Sequence, residues 1–161
     1  MSKDTESKKK YGVRRLINKI LQAIAKSSFL SGYMRARIQK LRGVHFDNVG
    51  TVFLGEDIII DGICPSNVSI GDRCIITSGT KILTHFLDTE SLSDHADYHF
   101  RFYVGKVVIE NDVFIGMNCV IAKPVTIGKG AIIGANVVVT KDVPAGAVMV
   151  GSSAVNIKNF G

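Results

Sequence analysis

Apolar positions along the chain follow two different periods. Over two long stretches between residues 52 and 139 a bulky aliphatic, or a near substitute, returns at every sixth position. One ladder runs Val52, Ile58, Cys64, Ile70, Ile76, Ile82 and a second runs Ile109, Ile115, Ile121, Ile127, Ile133, Val139. The residue four places on is small or β-branched at Val68, Cys74, Thr80, Val107, Val113, Cys119, Val125, Ala131, Val137 and Val143. A period of six fits neither a helix nor an alternating strand. It predicts a parallel β-helix, in which each hexapeptide supplies one short strand and a turn and like residues stack in successive coils. Two inward positions per hexad give a narrow, filled prism of four to five coils. Gly71, Gly105, Gly116, Gly128 and Gly134 fall near the expected corners, where a residue without Cβ can turn the backbone sharply.

Ahead of the ladders the period becomes helical. Val13, Leu16, Ile17, Ile20, Leu21 and Ile24 recur at helix spacing with Arg14, Arg15 and Lys19 between them, and Tyr33 to Leu41 repeats the pattern with Arg35, Arg37, Lys40 and Arg42. The expected organisation is a basic disordered tail at 1–10, a helical segment at 11–43 and the β-helix at 44–161. The overall charge of +6 belongs to the front: residues 1–44 hold 12 Lys and Arg against 2 acids, whereas residues 45–161 hold 8 against 12. A solenoid needs its open end covered, so the favoured role of the segment is a cap that lays its apolar side over the first coil. The competing role is contact with an anionic membrane surface through residues 8–42. Nucleic acid is not expected, because no recognition motif accompanies the charge.

The remaining composition fits one compact domain without a membrane span. Met1 to Lys10 lacks the apolar core of a signal peptide, which places the chain in the cytoplasm. Cys64, Cys74 and Cys119 lie at ladder or small-residue positions and are expected as small buried hydrophobes. The repeat breaks after Ile82 and restarts at Tyr103, so a loop must leave the β-helix at about 86–102. It is rich in acids, aromatics and histidine, and excursions from rigid scaffolds commonly carry function.

The hexads of residues 44–161 resemble those of the hexapeptide-repeat acyltransferases, closest to sugar O-acetyltransferases of the maltose, galactoside and exopolysaccharide type. The resemblance implies an all-β fold, a left-handed parallel β-helix behind the basic helical segment. It also implies a homotrimer with active sites between subunits. The winding sense comes from the resemblance alone, since general crossover rules favour right-handed connections.

Leu83-Thr84-His85-Phe86-Leu87-Asp88 is similar to the Thr-His-x-Leu-Asp setting of that family's catalytic histidine, which implies His85 as general base toward a sugar hydroxyl. Asp88 would orient His85 or cap the loop. The stretch Ile133 to Pro144 is similar to the segment that lies along acetyl-CoA. Carried over, the resemblance puts the backbone at Ala135 and Thr140 beside the pantetheine arm and Lys141 and Lys158 near the phosphates. Met117, one coil before Ala135, would border the same groove, where family members often carry Gly or Ser. Asp57 falls where such enzymes hold the acceptor with Asn, and Asp61 is the neighbouring candidate. Ser152-Ser153-Ala154 departs from the family's closing Asn-Pro-Ala.

The expected function is therefore acetyl-CoA-dependent O-acetylation of a saccharide acceptor, by direct transfer and without a metal. Two alternatives stay open. One is a γ-class carbonic-anhydrase-like hydratase binding metal through His85, His95 and His99. The other is a non-enzymatic trimeric scaffold at the membrane periphery.

Overall fold

The computed structural model describes residues 3–87 and 102–151. Two helices precede a three-sided parallel β-helix. The first face stacks His45–Phe46, Val68–Ile70, Val107–Ile109 and Val125–Ile127, and the second stacks Phe53–Leu54, Ile75–Ile76, Phe114–Ile115, Ile132–Ile133 and Val148–Met149. The third stacks Ile59–Ile60, Lys81–Ile82, Val120–Ile121 and Val138–Val139. These make four coils, and Val143, bridged to Ile127, begins a fifth. Both expected inward columns are buried: Ile76, Ile82, Ile115, Ile121, Ile127 and Ile133 form one, and Cys74, Thr80, Val113, Cys119, Val125 and Ala131 the other.

Four residues at positive φ, Asp57, Gly79, Asn118 and Asn136, turn the chain from the second face to the third. Arg73, Asp112, Gly130 and Gly146 do the same between the first and second. Short polar side chains tolerate this conformation, so the corners do not depend on the glycines the sequence singles out. Those glycines admit the neighbouring coil instead: a Cβ on Gly116 would sit 2.6 Å from the Ala135 nitrogen, and one on Gly128 would sit 2.4 Å from that of Ala145.

The first ladder holds only from Ile70 onward. Ile109 pairs with Ile127 at the regular interval of eighteen, but Leu54 pairs with Ile76 and Ile60 with Ile82, each twenty-two residues on. Four extra residues are accommodated around Pro65–Asn67, a 3₁₀ turn. Val52 and Ile58 thereby enter the columns of Cys74 and Thr80, and Cys64 leaves the ladder for a half-buried place before the turn. The second ladder likewise restarts at Val107 rather than Tyr103, because Tyr103 belongs to an antiparallel stem in which His85–Leu87 pairs with Phe102–Val104.

The cap reverses the expected polarity. Helix α1 (Lys3–Ala25) begins inside the stretch expected to be a disordered tail, and lysine is a good helix former. Its inward side carries Asn18, Gln22 and Ala25 with Leu21 half-buried beside them, while Val13, Leu16, Ile17, Ile20 and Ile24 are each 45–59% exposed. Helix α2 (Gly32–Arg42) starts at an N-cap where Ser31 Oγ accepts from Met34 N–H and ends at Gly43 with φ 110°. It buries Arg35, Ala36, Gln39 and Arg42. The seam between cap and β-helix is thus held largely by hydrogen bonds: Arg35 donates to Leu54 O at 3.2 Å, Gln22 to Ile58 O at 2.7 Å and Arg42 to Ile60 O at 3.0 Å. A two-residue strand end leaves its outer carbonyls without a coil beneath, and long polar side chains satisfy them where an apolar stripe could not.

Candidate functional site

Asp61 follows Ile60 at the end of the first coil's third strand, and its N–H donates to Ile82 O at 2.9 Å. The extra residues that follow let the chain bend away here, leaving the Asp61 carboxylate under the start of the antiparallel stem. The side chain is almost wholly enclosed. Its Oδ1 accepts from Ile63 N–H at 2.8 Å. Its Oδ2 accepts from Thr84 N–H at 2.9 Å, Thr84 Oγ1 at 2.8 Å and His85 N–H at 3.1 Å, and lies 2.5 Å from His85 Nδ1. Burial alone would push this carboxyl up, but the donors from Ile63, His85 and Thr84 outweigh it and hold Asp61 below the usual carboxylate range. The ionised form is the one that needs so many donors.

His85 is half-buried, with 37% of its side chain exposed, and its ring lies 6.5 Å from that of Phe102 across the stem. The next pair of the stem, Phe86 and Tyr103, stacks at 5.4 Å with Phe86 buried. An ionised carboxylate at Nδ1 selects the tautomer with its proton there, which leaves Nε2 with a free lone pair. The pair is fixed by backbone on both sides, so the imidazole orientation is set before any ligand arrives.

A buried cation sits on the other side of Asp61. Arg42, 1% exposed, donates to the carbonyls of Asn18, Ile60 and Asp61 at 3.1, 3.0 and 3.3 Å and to Gln39 Oε1 at 2.5 Å, with a further contact to Gln22 Oε1. Burial lowers Arg42 to about 10, partly offset by the Asp61 charge, so it remains a cation at neutral pH. The helical cap is in this way tied to the residue that holds His85.

The other candidate residues divide between corners. Asn136 N–H donates to Met117 O at 2.8 Å, which stacks Met117 and Ala135 at the corner between the second and third faces, and both are exposed. Thr140 and Lys141 occupy the opposite edge of the third face. Backbone pairing there builds a column of Asp61, Leu83, Ala122 and Thr140, so Thr140 lies two coils, about 10 Å, from the residue that leads into His85. Asp57 is not beside His85; it sits at positive φ on a different corner and pairs with Lys26 at 2.7 Å. Asp88, His95, His99, Lys158 and the Ser152-Ser153-Ala154 departure fall outside the described residues. Among the described residues, no group of three or more His, Cys, Asp or Glu side chains is arranged to hold a metal ion.

Residues 106–141 match the family model described as the bacterial transferase hexapeptide (six repeats). The chain carries the bacterial transferase hexapeptide repeat. This repeat region aligns with the bifunctional protein GlmU of Polaromonas naphthalenivorans, 54% identical over 56 residues, which is 34% of the chain and 12% of that relative's length. Among solved structures, a hexapeptide-repeat-containing acetyltransferase from Vibrio cholerae is 25% identical with a TM-score of 0.62, over 87% of this chain and 86% of that one. Its complex with acetyl coenzyme A superposes with a TM-score of 0.60 at 24% identity, over 94% and 86%. A maltose O-acetyltransferase from Clostridium difficile reaches 0.57 at 24% identity, over 86% and 81%. The hexapeptide-repeat architecture thus extends well beyond the matched segment.

The sequence carries one faint signal for Asp61 as the partner of His85. If the first coil is phased on Leu54 and Ile60, Asp61 falls in the column of the residue two before His85. The ladder phased on Val52 and Ile58 hides it.

Proposed function

We propose that the protein is an acetyl-CoA-dependent O-acetyltransferase acting on a hydroxyl of a sugar or saccharide precursor, with His85 as the base. The observation that carries the proposal is the Asp61–His85 pair, a half-exposed imidazole held through Nδ1 by a buried, ionised carboxylate. In the transfer, Nε2 takes the acceptor hydroxyl proton as the hydroxyl oxygen bonds to the thioester carbonyl carbon. Collapse breaks the carbon–sulfur bond, and the imidazolium, stabilised by Asp61, returns the proton to the departing thiolate. Asp61 is a positioning residue here; His85 is the group that meets substrate.

Cys74 and Cys119 offer no competing nucleophile. Burial pushes the Cys74 and Cys119 thiols up, and each donates to a carbonyl, Glu110 O and Gly134 O respectively, at 3.0 Å. Likeness to the acetyl-coenzyme-A-bound acetyltransferase supports the donor, and likeness to the maltose enzyme supports a sugar hydroxyl as acceptor. Left-handed winding and a cytoplasmic site of action belong to the same proposal.

In this reading the site forms between subunits, since within one chain Met117 and Ala135 lie on the opposite edge of the third face from Thr140 and Lys141. A homotrimer would bring the two corners together, with Lys141 near the donor's phosphates. Its apolar contact is available on the second face, where Phe53, Ile75, Phe114, Ile132 and Val148 pair in sequence and are all exposed. The other outward columns are mixed or polar, and the first opens with His45 and Ser69.

The test is acceptor-dependent release of free thiol from acetyl-CoA across a panel of sugars and saccharide precursors. His85→Ala should lower turnover by about 10² to 10⁴ while the trimer persists in sedimentation. Retention of a tenth of wild-type turnover would remove His85 as the base.

A further inference from the structure

Helix α1 turns its more polar side inward, and this leaves an apolar stripe with no partner among the described residues. Val13, Leu16, Ile17, Ile20 and Ile24 fall along one side of the helix at about 100° per residue, and each is close to half exposed. The side that packs on α2 and the first coil is the opposite one, through Asn18, Gln22 and Ala25. Five branched aliphatics aligned over three turns are more than scattered surface residues and mark a docking surface. The stripe is bordered by Arg14 on one side and Lys19 on the other, both exposed, and among the described residues neither they nor Arg15 enters an ion pair. No described helix is long and apolar enough to cross a membrane.

Charge decides between the candidate occupants. Residues 1–44 carry 12 cations against 2 acids, so a second copy that seats its own α1 on this stripe would bring two such segments within a Debye length of each other. An anionic lipid surface offers the opposite charge for the flanks and an acyl boundary for the stripe. We infer that α1 lies in the plane of an anionic membrane interface, with Val13, Leu16, Ile17, Ile20 and Ile24 inserted and Arg14 and Lys19 against the headgroups. The docking does not depend on the catalytic assignment, since none of these residues belongs to the His85 site. It would hold the enzyme where acceptors carried on lipid are concentrated.

The experiment is co-sedimentation of the full-length protein with phosphatidylcholine vesicles, with and without about 30% phosphatidylserine, at low and high salt. The wild type should bind the anionic vesicles, release as salt rises and bind neutral vesicles at least tenfold more weakly. Ile17→Ser/Ile20→Ser and Arg14→Gln/Lys19→Gln should each weaken anionic binding at least tenfold. Thiol release with a soluble acceptor should stay at the wild-type rate in both variants, which separates loss of docking from loss of the active site. Equal vesicle binding by wild type and both variants would overturn the inference. So would a change in oligomeric state of the serine variant by sedimentation velocity, because the stripe would then be a subunit contact.

Discussion

Ile121 in the third coil and Ile20 in α1 are the same residue under opposite conditions: the first is fully buried and the second is 52% exposed. The β-helix fills its core mainly with aliphatics, column upon column, with Cys74, Cys119 and a Thr80 hydroxyl that donates to Gly116 O among them. The cap meets the first coil chiefly with donors from Gln22, Arg35 and Arg42, beside Ala36 and the Tyr33 ring, and α1 sends Val13, Leu16, Ile17, Ile20 and Ile24 outward. A coil inside the stack finds its ladder partners in the coils on either side. The first coil does not, and its unpaired carbonyls have to be met by side chains from elsewhere. The contrast shows that amphipathicity in a helix does not reveal which face is the inner one when the surface it covers is polar.

Three substitutions sharpen that contrast. Ile121→Ala should have the largest effect, a loss of about 2–5 kcal/mol by chemical denaturation, because the rigid coils on either side cannot collapse into the space left. Arg42→Met should lose about 2–3 kcal/mol, and for a different reason, since it keeps the hydrocarbon and removes only the donors. It leaves the Ile60 and Asp61 carbonyls and the Gln22 and Gln39 amide oxygens without their donor. Guanidinium loss beneath Asp61 should also slow thiol release while acetyl-CoA affinity by calorimetry stays unchanged, since the change reaches His85 only through Asp61. Ile20→Ser should leave stability within about 0.5 kcal/mol. A cost above about 2 kcal/mol by the same denaturation assay would mean that the stripe is packed in the folded protein and that the contrast between the two regions is false.

Most of the β-helix was legible because its rule is local. Each hexad from Ile70 onward repeats the same two inward positions, and Val107 to Val143 falls on them without exception. Val52 and Ile58 show the limit of the rule. Both inward columns accept aliphatics, so a four-residue insertion near Pro65 shifts the phase without exposing anything, and pattern alone cannot detect the shift. Gly116 and Gly128 were found as special positions, but the cause was the next coil's backbone rather than the turn.

For the site, the amino-acid sequence determined that His85 stands where the repeat ends, since the loss of period after Ile82 and the resemblance of Thr84-His85 are both readable along the chain. It also determined that Met117 and Ala135 stack, because their eighteen-residue spacing is one regular coil. Only the tertiary structure decided that Asp61 meets His85, that Arg42 is buried against the Asp61 backbone, and that the aliphatic stripe of α1 faces outward. These depend on how an irregular first coil is stacked and on side chains 17 to 24 residues apart in the chain satisfying one another's hydrogen bonds. A periodic pattern records the burial each residue needs, whereas the choice of polar partner is made by whichever donors and acceptors the folded backbone leaves unpaired.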